Sequence, residues 1–158
     1  MTQPPLEEYL ASQPFFSGLS LEFLAFLARC CRERKIEAGE VLFRQGDKAQ
    51  HFFLIRDGSI AIEVPALTGP TLSVQTLGPS QILGWSWLIA PYRWSFQSRV
   101  EAPTVLLEFD GDAILTECEA DPAFGYALCK RFAALMSERL EVARQRMMAQ
   151  WSLPAGFA

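Results

Sequence analysis

Glu37-Ala-Gly-Glu-Val-Leu-Phe-Arg-Gln-Gly-Asp-Lys-Ala-Gln-His-Phe-Phe-Leu-Ile-Arg-Asp-Gly-Ser-Ile-Ala-Ile-Glu-Val64 alternates turn signals with short apolar runs. Glu37 to Phe43 reads as a turn and then a strand. Arg44-Gln-Gly46-Asp47-Lys48 reads as a second turn. His51-Phe-Phe-Leu-Ile55 is a continuous apolar run of strand length, as a buried strand requires. Asp57-Gly58 is a strong hairpin signal, because glycine adopts positive φ without a Cβ penalty. Ser59 to Val64 alternates polar and apolar residues at period two, which predicts a half-buried strand.

Outward from this stretch the same rhythm continues. Gly69-Pro70 predicts a further turn, Thr71 to Leu77 a short strand, and Val100 to Phe109 more strand. Many short strands at nearly regular spacing, with Gly and Pro turns between them, point to a β-barrel or jelly roll. Helices are expected on both flanks. Residues 15–35 read as helical, with Ser20 as cap, Glu22 in the first turn, and Leu19, Phe23, Phe26 and Leu27 on one face. Arg29, Arg32, Arg34 and Lys35 then cluster at the helix end, either complementing its dipole or docking an acidic partner.

Residues 121–151 read as one long helix, with Asp121 as cap and Pro122 at its first position. Leu128, Phe132 and Leu135 form one apolar stripe. Ala133, Met136, Leu140, Ala143 and Met147 form a second, spaced three, four, three, four. That second stripe is a short heptad seam and predicts a homodimer through a helix pair. The domain plan is therefore a tail at 1–14, a β-roll with its N-terminal helix at 15–120, a dimerisation helix at 121–151 and a tail at 152–158.

Composition narrows the function. The chain has 158 residues, half of them hydrophobic, and a formal net charge of −4. A chain of this length builds a core without disulfide or metal staples. The acidic balance argues against a nucleic-acid face and against an anionic membrane surface. There is no basic, apolar leader and no run of ~20 apolar residues. The expected compartment is the cytoplasm, where Cys30, Cys31, Cys118 and Cys129 remain thiols. Their spacing contains no Cys-x-x-Cys pair, and His51 is the lone histidine, so no metal site or other cofactor is expected. No acid–base or nucleophile constellation marks an enzyme.

The ordered motifs Gly39-Glu40, Phe43-Arg-Gln-Gly46-Asp47, Phe52-Phe-Leu-Ile55 and Arg56-Asp57-Gly58 resemble the cyclic-nucleotide-binding domains of catabolite-activator-like regulators. The resemblance covers roughly residues 15–150. It implies a mainly β fold with flanking helices: a double-stranded β-helix, or jelly roll, followed by a long C-terminal helix. In the family's transcription regulators that helix is the dimer seam and leads into a helix-turn-helix. Residues 152–158 are too few for that motif, so no DNA reader is expected.

Ile82-Leu-Gly-Trp-Ser-Trp-Leu-Ile-Ala-Pro-Tyr-Arg-Trp-Ser-Phe-Gln-Ser-Arg-Val100 resembles the family's phosphate-binding cassette. The family cassette uses a Glu for the ribose hydroxyl and an Arg for the cyclic phosphate. Here Gly84 and Leu88 match, but Trp85 stands at the Glu position and Trp94 at the Arg position. The candidate ligand-binding set is Gly84, Trp85, Ser86, Trp87, Leu88, Arg93, Trp94, Ser95 and Phe96. Gly39, Gly46, Asp47 and Gly58 are structural turns. Three readings of the cassette stand. Arg93 swings inward and rescues phosphate binding, the aromatics plug the pocket, or the pocket takes a less charged ligand with a planar apolar body. The resulting expectation is a non-enzymatic regulatory or sensor module that binds cyclic AMP and cyclic GMP poorly. Its unknown small-molecule ligand or protein partner acts through the C-terminal helix. The alternative is a pseudo-sensor, an interaction scaffold with a plugged pocket.

Overall fold

The computed structural model describes residues 4–64 and 71–150. The expected turn at Gly69-Pro70 and the tail at 152–158 lie outside the described residues, as do Trp151 and Met1–Gln3. The elements in order are α1 (Leu6–Ser12), a single 3₁₀ turn (Pro14–Phe16), α2 (Leu21–Arg29), β1 (Cys31–Ile36), β2 (Val41–Phe43), β3 (His51–Val64), β4 (Leu72–Leu77), β5 (Ile82–Leu83), β6 (Gln97–Asp110), α3 (Gly111–Ala120) and α4 (Pro122–Gln150). Every strand pairing is antiparallel, in the order β1-β6-β3-β4, with β2 on β6 and β5 on β3. This is the jelly roll that the strand rhythm pointed to, followed by the long helix expected over residues 121–151.

Two 14-residue strands, β3 and β6, form the spine of the roll. The Asp57-Gly58 hairpin expected from the dipeptide is not there. Both halves of β3 pair with the same partner, β6, and the register shifts three times between Ile55 and Ile60. Gly58 has φ +107°. A Cβ on it would lie 2.2 Å from Thr104 Oγ1 and 2.6 Å from Thr104 Cα. The glycine therefore serves a bulge that bends the long strand, not a reversal. A positive φ suits both features, and the dipeptide cannot distinguish them. The half-buried alternation expected over Ser59 to Val64 also differs. Ile60, Ala61 and Ile62 are all buried, and Glu63 is buried and paired with Arg99 at 3.0 Å.

The helix expected over 15–35 is shorter. Ser20 caps α2 by accepting from the Phe23 N–H, and the helix ends at Arg29. Cys31 to Ile36 forms strand β1, in register from Cys31 opposite Phe109 to Ile36 opposite Thr104. No apolar stripe continues past Leu27, so pairing with β6 prevails over local helix propensity. Arg32 and Arg34 consequently reach Glu108 on β6, not a helix end. The N-terminal 1–14 tail is also corrected: α1 forms there, and Leu10 is fully buried. Helix α3 was unanticipated; Asp110 caps it by accepting from the Ala113 N–H.

The predicted cap of α4 forms, with Asp121 Oδ1 accepting from the N–H groups of Ala123 and Phe124. The first stripe of α4 seats it on the roll. Leu128 and Phe132 are fully buried and Leu135 packs against the core. Phe132 meets Phe52 edge-on at 5.2 Å and Trp87 at 5.3 Å, while Phe52 stacks on Phe109 at 4.4 Å. This aromatic knot ties both spine strands, the cassette and α4 together. Among the described residues no helix is long and apolar enough to cross a membrane.

Candidate functional site

Between the open face of the roll and α4 lies a cavity of about 370 Å³. Its floor comes from the strands: Phe43 of β2, Ile62 of β3, Val74 and Gln75 of β4, and Leu83 of β5. One flank is the cassette, through Gly84, Trp85, Ser86, Trp94 and Phe96. The roof is α4, through Met136, Arg139, Leu140 and Ala143. Ser86 and Gln75 are the neutral polar side chains on this lining.

The structure separates the nine cassette candidates. Gly84, Trp85, Ser86, Trp94 and Phe96 line the cavity; Trp87, Leu88, Arg93 and Ser95 do not. Trp87 is 2% exposed and belongs to the aromatic knot, where its indole Nε1–H donates to the Gly84 carbonyl at 3.2 Å. Leu88 packs against the same core. Ser95 is exposed.

Arg93 is exposed, and its Nη1 donates to the Gly46 carbonyl at 2.9 Å. The backbone beside it is clamped. Trp94 N–H donates to the Asp47 carbonyl at 2.9 Å, and Gly46 N–H donates to the Trp94 carbonyl at 2.8 Å. The Arg44–Lys48 turn thus holds the end of the cassette. Gly46 and Gly39 both have positive φ, as their place in turns implied.

Trp94 occupies the wall where the resemblance puts the phosphate-gripping Arg. Its ring stacks on Phe43 with centroids 3.7 Å apart and planes 9° off parallel. It also lies against the Gly84 backbone: a Cβ on Gly84 would come within 2.6 Å of the Trp94 ring. Gly84, at φ +103°, is thus required twice, by its conformation and by the indole above it.

The cation on this cavity comes from α4, not from the cassette. Arg139 donates through Nη2 to the Ile82 carbonyl, and its guanidinium carbon lies 5.9 Å from the centre of the Trp85 ring. Burial pushes its pKa down to about 10, so it remains charged at neutral pH. Sequence reasoning missed it because Arg139 falls between the two apolar stripes, where a solvated charge is the ordinary outcome.

On the far side of Phe43 and Trp94, Glu108 gathers Arg32, Arg34 and His51, the last at 3.6 Å. Burial would raise the Glu108 carboxyl. The Arg34 and Arg32 hydrogen bonds outweigh it and hold the group below the usual range. His51 therefore borders an arginine–carboxylate cluster.

The cyclic nucleotide-binding domain family matches residues 33–121. This chain belongs to that family.

Among solved cyclic nucleotide-binding folds, it resembles a putative cyclic nucleotide-binding protein from Geobacter metallireducens GS-15. The two are 27% identical, with a TM-score of 0.78, over 88% of this chain and 99% of that one. The catabolite activator protein of Thermus thermophilus is 25% identical at a TM-score of 0.69, over 87% of this chain and 62% of that one. The acetyltransferase Pat of Mycolicibacterium smegmatis is 39% identical over 75 residues, which are 48% of this chain and 22% of the enzyme. The chain thus spans well under two thirds of that curated relative. The family match and the likeness to the solved structures place the chain in a cyclic nucleotide-binding regulatory or sensor fold.

Within this cyclic nucleotide-binding domain Cys30, Cys31 and Cys118 pack against the core, while Cys129 is exposed. Burial pushes Cys31 and Cys118 up to about 12, which keeps them protonated. Among the described residues no group of three or more His, Cys, Asp or Glu side chains is arranged to hold a metal. The second stripe of α4 is divided. Met136, Leu140 and Ala143 face the cavity, while Ala133 and Met147 are exposed.

Proposed function

We propose that this chain is a non-enzymatic sensor module whose ligand has a planar apolar body held between the cassette and α4. The carrying observation is the cavity of about 370 Å³, walled by Trp85, Trp94 and Phe96 and roofed by Met136, Leu140 and Ala143. A volume in this range suits a small planar ligand. Because α4 is itself the roof, a ligand that touches it shifts its position relative to the roll, and α4 carries the signal. A cytoplasmic setting fits four free cysteines. The neutral fluorophore 1-anilinonaphthalene is expected to bind with Kd below roughly 100 μM, about −5.5 kcal/mol. Ala143→Trp, which fills the cavity from the roof, should abolish its fluorescence gain. If the parent protein gives no gain, the cavity reading is wrong. The pseudo-sensor reading then takes its place, favoured by the Trp94–Phe43 stack already closing the phosphate end.

The module acts as a homodimer through α4. Leu140, Met147 and Met148 are 70%, 57% and 58% exposed. A row of such side chains on one helix is usually covered by a partner. Leu140 also borders the cavity, so Met147→Glu is the cleaner probe. It places charge on the seam of both protomers at once. Light scattering is expected to show a dimer for the parent and a monomer for Met147→Glu, with unchanged binding of 1-anilinonaphthalene. A parent that is monomeric at tens of micromolar would remove the dimer.

A further inference from the structure

Most arginines held against the roll meet carboxylates: Arg32 and Arg34 meet Glu108, Arg56 meets Glu33, and Arg99 meets Glu63. Half-buried Arg131 instead spends two donors on the Ala127 and Ser17 carbonyls. Arg139 is half-buried, and among the described residues it has no carboxylate within ion-pair distance. Its acceptor is a single backbone carbonyl, Ile82 O. A guanidinium presents five N–H donors in a planar fork. Arg139 lines both the apolar cavity beside Trp85 and a second cavity of about 340 Å³. A half-buried cation with no ion pair, eased only by the charge of neighbouring Glu138, is costly, and an apolar residue here would have cost less. Its retention on an otherwise apolar lining is what needs a cause.

We propose that Arg139 is the anion anchor of this cavity, and that the ligand is a planar apolar body carrying one oxyanionic head, a carboxylate or sulfonate. The inference rests on the cavity reading above and adds the polarity of the ligand to it. The fork of Arg139 matches the two oxygens of such a head. The Trp85 ring under the guanidinium keeps the fork oriented, and the body of the ligand lies on Trp94, Phe96 and Leu83. Burial lowers Arg139 only to about 10, so the anchor is charged under ordinary conditions. A cyclic nucleotide is also a single anion, but its ribose and purine bring many polar atoms. Ser86 and Gln75 are too few to satisfy them.

The probes are a pair that share one body: 8-anilinonaphthalene-1-sulfonate and the neutral 1-anilinonaphthalene. The parent protein is expected to bind the sulfonate at least about tenfold more tightly, in keeping with a charge-assisted pair. Arg139→Met should bring the two within about twofold, mainly by weakening the sulfonate. Arg139→Lys, which keeps the charge and loses the fork, should retain part of the preference. Ala143→Trp should abolish both signals; a sulfonate signal that survives it arises elsewhere and overturns the anchor. If Arg139→Met fails to give a folded circular dichroism spectrum, Arg139→Lys decides. A several-fold loss for the sulfonate with the neutral probe unchanged supports the anchor, and equal behaviour of both probes overturns it. Should the parent bind both probes equally, or Arg139→Met keep the preference, the anchor is wrong while the cavity stands. Should neither probe bind, the cavity reading fails and the anchor with it.

Discussion

Cyclic AMP and cyclic GMP are each expected to bind with a dissociation constant above about 10 μM, weaker than about −7 kcal/mol. In the family cassette the two decisive contacts are charge-assisted hydrogen bonds, each worth about 1.5–3 kcal/mol. Losing both weakens binding by roughly 10²- to 10⁴-fold. Here the Arg position holds Trp94, stacked on Phe43 and pressed against Gly84, so an uncharged indole stands where the resemblance puts the cation. Arg93 is committed to the Gly46 carbonyl. To reach inward it would have to break the clamp between Trp94 and the Gly46-Asp47 turn. Stacking of a purine on Trp85 or Trp94 can return about 1–3 kcal/mol per base. It does not neutralise a buried charge. Calorimetry with either nucleotide checks this, and a constant below 10 μM would overturn the assignment of both tryptophans.

Trp87→Ala should destabilise the domain by about 3–5 kcal/mol, whereas Trp85→Ala, two residues earlier, should cost about 1 kcal/mol or less. For a chain of this size the first corresponds to a fall in Tm of roughly 6–20 °C. Trp87 sits against Phe52 at 5.2 Å and Phe132 at 5.3 Å, so its removal empties the junction of β3, the cassette and α4. Trp85 is half-buried, faces the cavity, and underlies Arg139. Its loss should appear in ligand binding before it appears in the melt. Chemical denaturation of the two variants beside the parent gives the comparison. Equal costs for both would mean that the cassette backbone runs one residue out of the described register.

The two tryptophans also show why a cassette is harder to read than a fold. Gly39, Gly46, Asp47 and Gly58, with the apolar runs between them, were enough to place the chain among jelly rolls. Turn chemistry and strand periodicity act within a few residues, and their order along the chain carries the topology of a family. Asp121-Pro122 and the Leu128, Phe132, Leu135 stripe were legible for the same reason: a cap and a 3.6-residue period are local properties. Asp57-Gly58 marks the limit of that reading. Its positive φ was local, but whether the strand reversed or bent depended on Thr104, on the opposite strand.

What only the tertiary structure decided was which side chains share a wall. Trp94 became a cavity wall because Phe43 from β2 lies parallel beneath it. Trp87 became core because α4 delivers Phe132 to its face. Arg32 and Arg34 became partners of Glu108 because β6 pairs with Cys31 to Ile36 and draws them out of a helix. Arg139 became a cavity residue because α4 crosses above Ile82. Each of these joins residues tens of positions apart. Sequence alone determined the turns and the periods, and the order of its motifs carried the resemblance to the family, since all of these are written in neighbouring residues. The chemistry of the pocket is set by contacts between distant segments, which take shape only when the roll closes and α4 packs across it.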